Sequence, residues 1–237
     1  MPPPPSGGGW QTPPPGGPAP AGLPWERRSE LGFLNAFVET IKLFVTSPAE
    51  AWQRTKEKGD FAEPLIFAIL VSWIGIAVST LWSGLFGNAW VAFLPADMKE
   101  KMAGAFATNT AALLIQVGLA PIFVLIGLFI GAGIFHLMLS LLGAARQPFE
   151  ATARVVAYGV GATSLLGLIP FCGGIIGGLY GIYLYIVGLA DVHDTDITKA
   201  AIAVLTPAVV CCVLFALLWG TIAALIFGAA AAGLATQ

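Results

Sequence analysis

The chain has 237 residues, of which 57% are apolar and only 10% are charged, and its formal net charge is −2. Soluble domains are about one quarter charged, so this composition excludes an ordinary soluble fold of this size. Bilayer hydrocarbon requires no polar coat around a protein, and the sequence therefore predicts an integral membrane protein.

The first 24 residues form a distinct segment, with ten prolines, six glycines and no apolar periodicity. Such a segment cannot bury enough surface to offset its ordering entropy, so we predict a disordered, proline-rich tail over residues 1–24. It lacks the basic start and apolar stretch of a secretory signal. A ligand for a proline-recognition domain is the alternative interpretation.

Residues 25–60 are amphipathic. Apolar residues recur on one helical face at Leu31, Phe33, Leu34, Phe37, Val38, Ile41, Phe44 and Val45. Ser47-Pro48-Ala49-Glu50 has the pattern of a capping box at the start of a second, shorter helix. We predict two helices lying in the headgroup plane, with Trp25 and Trp52 as anchors in the membrane interface. The sequence leaves open the alternative that the first helix packs on the transmembrane bundle.

The remaining residues, 61–237, contain long windows without Asp, Glu, Lys or Arg. Four windows of 33, 44, 36 and 38 residues follow Glu63, Lys101, Arg154 and Lys199. Each exceeds the roughly 20 residues that cross about 30 Å of hydrocarbon. The third window holds two spans, because a single helix of that length would measure about 54 Å, and Ile169-Pro170 supplies the break. We predict an all-α bundle of five transmembrane spans, at about residues 64–86, 111–142, 152–168, 171–190 and 202–228.

Lys and Arg are distributed unequally between the loops of this arrangement. Six of the eleven lie in residues 26–58, and a cytoplasmic N-terminus would place nine of the eleven on the cytoplasmic side. Because cytoplasmic loops carry an excess of these residues, we predict a cytoplasmic N-terminus and a C-terminus outside.

Small residues spaced four apart recur within the predicted spans. The helix-packing candidates are seven glycines: Gly127, Gly131, Gly159, Gly167, Gly173, Gly177 and Gly181. Lipid tails give no hydrophobic drive for association between helices, and small residues let helix backbones approach closely. We therefore expect these glycines to pack the bundle, and the alternative is an outward-facing stripe that forms a homo-oligomer.

Few titratable residues are placed where they could transfer protons within the membrane or bind a metal ion. His136 lies inside a span, and we expect a neutral imidazole bonded to a neighbouring hydroxyl or carbonyl. Asp191, His193 and Asp194 are the weak candidates for a divalent-cation site, but consecutive loop residues rarely supply a whole coordination shell. A helix cap within residues 194–196 is the favoured interpretation, so no metal site is predicted.

The signatures of common catalytic sites are absent from the sequence. It contains no nucleophile motif, phosphate-binding loop, HExxH or CxxC pattern. The three cysteines, Cys172, Cys211 and Cys212, lie in apolar segments and are expected to be small buried hydrophobes. We predict no catalytic activity and no cofactor.

Several stretches resemble the Yip family, membrane proteins named for their interaction with Ypt/Rab GTPases. The resemblance is carried by PFEATARVVAYG at 148–159, LIPFCGG at 168–174, YGIYLYIVGLADVH at 180–193 and TKAAIAVLTP at 198–207. PWERR at 24–28 and SPAEAW at 47–52 also resemble bacterial members. Membership implies five spans and a cytoplasmic N-terminus, and it assigns no active site to any residue.

The resemblance implies less about activity. Eukaryotic relatives take part in vesicle traffic, bind Rab GTPases and shape membranes. The Ala/Gly-rich composition and the proline-rich start favour a bacterial protein of the inner membrane. A bacterial protein would have no Rab partner, so the resemblance then implies only the membrane scaffold for this chain.

Two hypotheses follow. The first is a membrane scaffold or adaptor whose residues 1–58 bind a protein partner, bend the leaflet, or do both. The second is a small permease or channel for a neutral or small solute, with broken helices at Pro121, Pro207 and the glycine-rich hairpin. Membrane lipid is an expected partner under both hypotheses, and a nucleic-acid partner is expected under neither.

Overall fold

The computed structural model describes residues 22–55, 61–91 and 110–235, and these residues contain α-helices and 3-10 turns but no β-strand. Most of the predicted disordered tail, residues 1–21, lies outside the described part. The last residues assigned to the tail are ordered, however, because Leu23 and Pro24 are buried in the protein.

Eight α-helices occur in the described residues: α1 (Arg28–Leu31), α2 (Phe33–Thr46), α3 (Pro48–Arg54), α4 (Ala62–Val91), α5 (Thr110–Leu141), α6 (Phe149–Ser164), α7 (Gly173–Val192) and α8 (Ile197–Ala235). Helices α4 to α8 are long and apolar enough to cross a membrane. The predicted all-α fold with five spans is therefore confirmed.

The helix bounds differ from the predicted spans mainly where charged residues are included. Helix α6 begins at Phe149, before the predicted span, and includes Glu150 and Arg154, which lie one turn apart and pair with each other. Helix α5 continues through Pro121 and α8 through Pro207. Neither proline breaks its helix, which is common in membrane spans because other groups satisfy the freed carbonyl.

The two ends of the bundle differ in character. The first, which we call the charged end, holds residues 23–55 and 61–63, the α5–α6 turn and the α7–α8 turn. The second, which we call the hairpin end, holds the turn from Leu165 to Cys172 that joins α6 to α7. Phe171 has a φ of 66° in this turn, a left-handed conformation that is uncommon for a residue with a side chain.

Helix α6 is the centre of the bundle. It packs against α4, α5 and α7, whereas α8 lies at the periphery against α7 and α5. Its span, Phe149–Leu168, is the most buried and the least apolar of the five. A span that is surrounded by protein does not need the uniformly apolar surface that lipid requires.

Glycine makes the closest approaches to α6 possible. A Cβ atom on Gly75 of α4 would overlap the carbonyl oxygen of Ser164. A Cβ atom on Gly161 would lie 2.7 Å from the Phe67 ring. These two glycines and Gly188 were not among the seven candidates, because their close contacts come from the tertiary arrangement rather than from a repeat along one helix.

The seven candidate glycines fall into two groups. An added Cβ would lie 3.4 Å or less from another helix or the hairpin turn at five of them: Gly159, Gly167, Gly173, Gly177 and Gly181. Gly131 meets only Val156 at 3.9 Å, and an added Cβ on Gly127 would meet nothing within 4 Å. Among the described residues, Gly127 therefore has no packing contact within the bundle, and its packing role stays a prediction.

The three cysteines are exposed and free, which corrects the expectation that they are buried. Cys172 lies in the hairpin turn, and Cys211 and Cys212 lie on the peripheral helix α8. A thiol is weakly polar, so membrane hydrocarbon accepts it about as readily as a protein core does. Apolar sequence surroundings therefore did not imply burial within the protein.

Replacing Gly75 with Ala should destabilise the bundle. The added methyl group would overlap the backbone of Ser164, which can move only if α4 and α6 separate. Overpacking of this kind costs about 1–3 kcal/mol, so the thermal unfolding midpoint in detergent should fall. Gly127→Ala is the matched control, since its Cβ enters open space and its midpoint should be unchanged or slightly higher. Equal midpoints for the two variants would contradict the packing assignment.

Candidate functional site

The charged end is the candidate functional site, because the segment from Leu23 to Thr55 docks there on the ends of the spans. Helix α2 contacts α6, and α3 contacts α7. The segment is therefore attached to the transmembrane bundle through side chains as well as through its covalent connection to α4.

Trp25 anchors the start of this segment. Its side chain has no exposed surface, and its ring lies 5.5 Å from the Phe67 ring of α4. The indole N–H donates to the Glu63 carbonyl at 2.9 Å, and the backbone N–H donates to Thr40 Oγ1 at 2.8 Å. A residue on α2 and a residue on α4 thus fix the position of one tryptophan.

Trp52 anchors the end of the segment. Its side chain is 1% exposed and packs edge-on against Phe44, with ring centroids 4.8 Å apart. The ring fits against Gly188 of α7, where a Cβ atom would lie 2.7 Å from it. The indole nitrogen has no hydrogen-bond partner among the described residues, so packing alone stabilises this contact.

The predicted role of Trp25 and Trp52 as anchors in the membrane interface is therefore wrong. Both rings fill pockets within the protein. Tryptophan suits both environments because its large ring is apolar, and at Trp25 the indole N–H also finds a partner, the Glu63 carbonyl. The capping box needs a similar correction: α3 begins at Pro48 after Ser47, but the Ser47 hydroxyl makes no capping hydrogen bond.

Two tyrosines of the spans bond directly to the docked segment. The Tyr158 hydroxyl on α6 donates to Glu26 Oε1 at 3.0 Å. The Tyr180 hydroxyl on α7 donates to the Phe44 carbonyl at 2.6 Å. These bonds join residues more than 130 positions apart in the sequence, and they tie the segment to both helices of the hairpin.

Ion pairs and aromatic rings hold the cations of the charged end. Arg28 pairs with Glu63 and lies 5.0 Å above the Trp25 ring. Arg154 is 1% exposed, donates to Glu150 at 2.6 Å and lies 5.6 Å above the Phe61 ring. Stacking on an aromatic ring is attractive for a guanidinium, particularly where water is excluded. Arg28 and Arg154 therefore form contacts within the protein.

A hydrogen-bond chain links two histidines through a threonine. The Gln147 backbone N–H donates to His193 Nδ1 at 3.1 Å, so Nε2 of this neutral ring carries the proton. Nε2 lies 2.9 Å from Thr152 Oγ1, which in turn lies 2.8 Å from His136 Nδ1. The Thr152 hydroxyl oxygen therefore accepts from His193 and also lies within hydrogen-bond distance of His136. The sequence predicted a hydroxyl or carbonyl partner for His136, and in the structure this partner is the Thr152 hydroxyl.

The weak metal candidates do not converge. His193 is fully buried and both of its ring nitrogens are bonded, whereas Asp194 is exposed beside Arg146, with its carboxylate 3.3 Å away. In the described part of the chain, no three His, Cys, Asp or Glu side chains are placed to hold a metal ion. Asp191 lies in the last turn of α7 and is half-buried.

Asp196 provides the cap of α8. Its Oδ1 accepts a hydrogen bond from the Thr198 backbone N–H at 2.7 Å. Hydrogen bonds from Thr198 hold the pKa of Asp196 below its usual value. The acidic loop is therefore structural at this position, as an N-terminal helix cap.

Replacing Gly188 with Ala should loosen the docked segment. The methyl group would lie 2.7 Å from the Trp52 ring and 2.9 Å from a Val155 methyl. We expect trypsin to cleave after Arg54 several-fold faster in membranes, as measured by mass spectrometry of the fragments. Gly178→Ala is the control on the same helix, because its Cβ meets nothing within 4 Å. Unchanged cleavage in Gly188→Ala would show that Trp52 does not hold α3 in place.

The hydrogen-bond chain should make stability depend on pH. Burial, with a smaller effect of the neighbouring His136, lowers the pKa of His193 from 6.5 to about 4. Between these values the unfolded chain binds more protons, so the folded state loses stability as the pH falls from about 6.5 to about 4. The melting temperature in detergent should fall over this range, and less steeply in His193→Gln. Parallel curves for the two proteins would contradict this assignment.

Comparison with known proteins identifies the family. A family model described as the Yip1 domain matches residues 41–220, which is more than half of the chain and includes every predicted span except the last residues of the fifth. No curated protein and no solved structure matches significantly. The matched region contains the four stretches on which the family resemblance rested. This chain therefore belongs to the Yip family of integral membrane proteins.

Proposed function

We propose that this protein is a non-catalytic membrane scaffold that holds α2 in the surface of the cytoplasmic leaflet of a bacterial inner membrane. The observation that carries the proposal is the division of α2 into three faces. One face meets the bundle, one is apolar and exposed, and one is polar and exposed. Each face suits a different environment.

The face toward the bundle contains the buried residues Ala36, Thr40 and Phe44. Thr40 belongs to it because its hydroxyl oxygen accepts a hydrogen bond from the Trp25 backbone N–H. The apolar exposed face contains Leu34, Val38 and Val45, and Leu34 is 70% exposed. This apolar exposed face has no partner among the described residues, which supports contact with lipid.

The polar face of α2 lies beyond the apolar exposed face. It carries four exposed residues: Asn35, Glu39, Lys42 and Thr46. At 3.6 residues per turn, these four fall within about 60° of one another. A helix with adjacent apolar and polar faces lies along the plane of a membrane interface, with its polar face toward water. We propose this polar face as the surface for a protein partner.

The charged groups of the site support a role without catalysis. Arg28 pairs with Glu63, Arg154 with Glu150, and both histidines belong to one hydrogen-bond chain. A catalytic acid, base or nucleophile needs access to a substrate. In the described part of the charged end, these groups instead bond to each other. Arg28–Glu63 joins the segment to α4, and the histidine chain joins α5 and α6 to the α7–α8 turn.

The proposal predicts that the two exposed faces of α2 meet different surroundings. An environment-sensitive fluorophore would be attached at Val38→Cys and at Glu39→Cys, after the three exposed native cysteines are replaced by Ser. Brominated lipids should quench the probe at residue 38 at least about twofold more than the probe at residue 39, because quenching requires contact with acyl chains. Equally weak quenching at the two positions would place α2 outside the leaflet.

The scaffold role is tested by the shape of reconstituted vesicles. A helix inserted in one leaflet expands that leaflet and favours curvature. We expect smaller or tubular vesicles with the wild-type protein at high protein content, as imaged by electron cryomicroscopy, and unchanged vesicles with Leu34→Gln/Val38→Gln. Glu39→Gln/Lys42→Ala is the control on the polar face and should act like the wild type. Identical vesicles with and without the protein would overturn the leaflet-organising role.

A further inference from the structure

A hydroxyl-lined cavity lies between α4, α5 and α6 toward the hairpin end. Its volume is about 220 Å³, and its polar lining consists of Ser79, Thr80, Ser83, Gln116 and Ser164. We call it the serine cavity. A second cavity of about 240 Å³ shares Ser79 and Ser83 and extends to Pro170 and Phe171 in the hairpin turn.

Polar side chains are costly within membrane spans and are retained where they have a structural or binding role. Ser72 and Ser164 have a structural role, because their hydroxyls lie 3.0 Å apart and join α4 to α6. Ser79 also joins helices, through a bond to the Gly167 carbonyl at 3.1 Å. Among the described residues, Ser83 bonds only to its own helix, at the Ser79 carbonyl, and so does not account for any helix contact there.

The hydrogen bonds of the cavity show which groups remain for a ligand. The hydroxyl protons of Ser79, Ser83 and Ser164 are donated to the carbonyls of Gly167, Ser79 and Val160. Each hydroxyl oxygen keeps a lone pair, because an oxygen that donates its proton can still accept. Three hydroxyl oxygens of the lining are thus acceptors, and they match a ligand that donates hydrogen bonds.

The surroundings of the cavity favour an uncharged ligand. Neither cavity is lined by Asp, Glu, Lys or Arg in the described part of the chain. Moving an ion away from water without a counter-charge is far more costly than moving a hydrogen-bonded neutral molecule. Ligand volume is limited as well, because close packing at Gly75 against Ser164 closes the cavity toward the charged end.

The serine cavity lies toward the hairpin end of the bundle. Ser83, which lines both cavities, lies in the second half of α4, which ends at Val91. The Phe86 and Phe171 rings, 5.5 Å apart, form the rim beside the second cavity. A solute that enters beside these rings would meet the acceptor oxygens of Ser79 and Ser83 first. We propose that the serine cavity is a binding site for a small uncharged polyol that enters from the hairpin end.

The proposal does not depend on the scaffold role of α2, and its test uses a different readout. Saturation-transfer NMR would be recorded on the full chain in lipid nanodiscs, with glycerol as the probe. The counterpart is 1,2,3-trimethoxypropane, which has the same acceptors but no donors. After subtraction of empty nanodiscs, we expect transfer to glycerol and none to the ether. Equal transfer to both, or no transfer to glycerol, would overturn the proposal.

Two variants test the position of the site. Thr80→Val/Ser83→Ala removes two hydroxyls without breaking a bond between helices, and glycerol affinity should fall about tenfold. Ser83→Leu fills the cavity and should abolish transfer. Ser140→Ala is the control, since that hydroxyl also bonds only to its own helix, at the charged end. If transfer to glycerol is the same in all variants, the serine cavity is not the binding site.

Discussion

Helix α6 carries polar and charged side chains that lipid would not accept, and the rest of the bundle is arranged to enclose it. Arg154, Thr152 and Tyr158 lie on this one helix and are all buried. Contact between α6 and hydrocarbon would leave such groups without hydrogen-bond partners, at a cost of several kcal/mol each. Helices α4, α5 and α7 instead surround it, and glycines at the contacts allow the backbones to come close together.

The docked segment completes this enclosure at the charged end. The hydroxyl of Tyr158 reaches Glu26, and Trp25 and Trp52 cover the ends of α4 and α7 with apolar surface. The segment is held by packing of large rings rather than by its exposed ion pairs, since exposed pairs such as Arg27–Glu30 contribute little. A surface helix held in this way keeps one orientation relative to the spans.

The spans could be predicted from the sequence because windows free of charge are a strong and local signal. Side-chain environments could not be predicted equally well. Trp25 is one example, because a tryptophan in the membrane interface and a tryptophan in a protein pocket have the same kind of neighbours in sequence. Cys211 is another, because the sequence of an apolar helix does not show which face meets lipid. Thr40 gave a usable hint, as a polar residue one turn from both Ala36 and Phe44. The hydrogen-bond chain from Gln147 to His136 and the serine cavity depend on contacts between distant helices, and no local pattern indicates them.

The clamped position of α2 has a mechanical consequence. Membrane spans respond to a change in bilayer thickness by tilting, at a cost of only fractions of a kcal/mol per ångström of mismatch. Because Tyr180 and Trp52 connect the surface segment to the span α7, a tilt of that span would be transmitted to the segment as a rotation. With α2 placed in the leaflet as proposed, the depth of Leu34 and Val38 would change with bilayer thickness, and the polar face would turn relative to the water. That placement would make the surface segment responsive to the composition of the surrounding membrane.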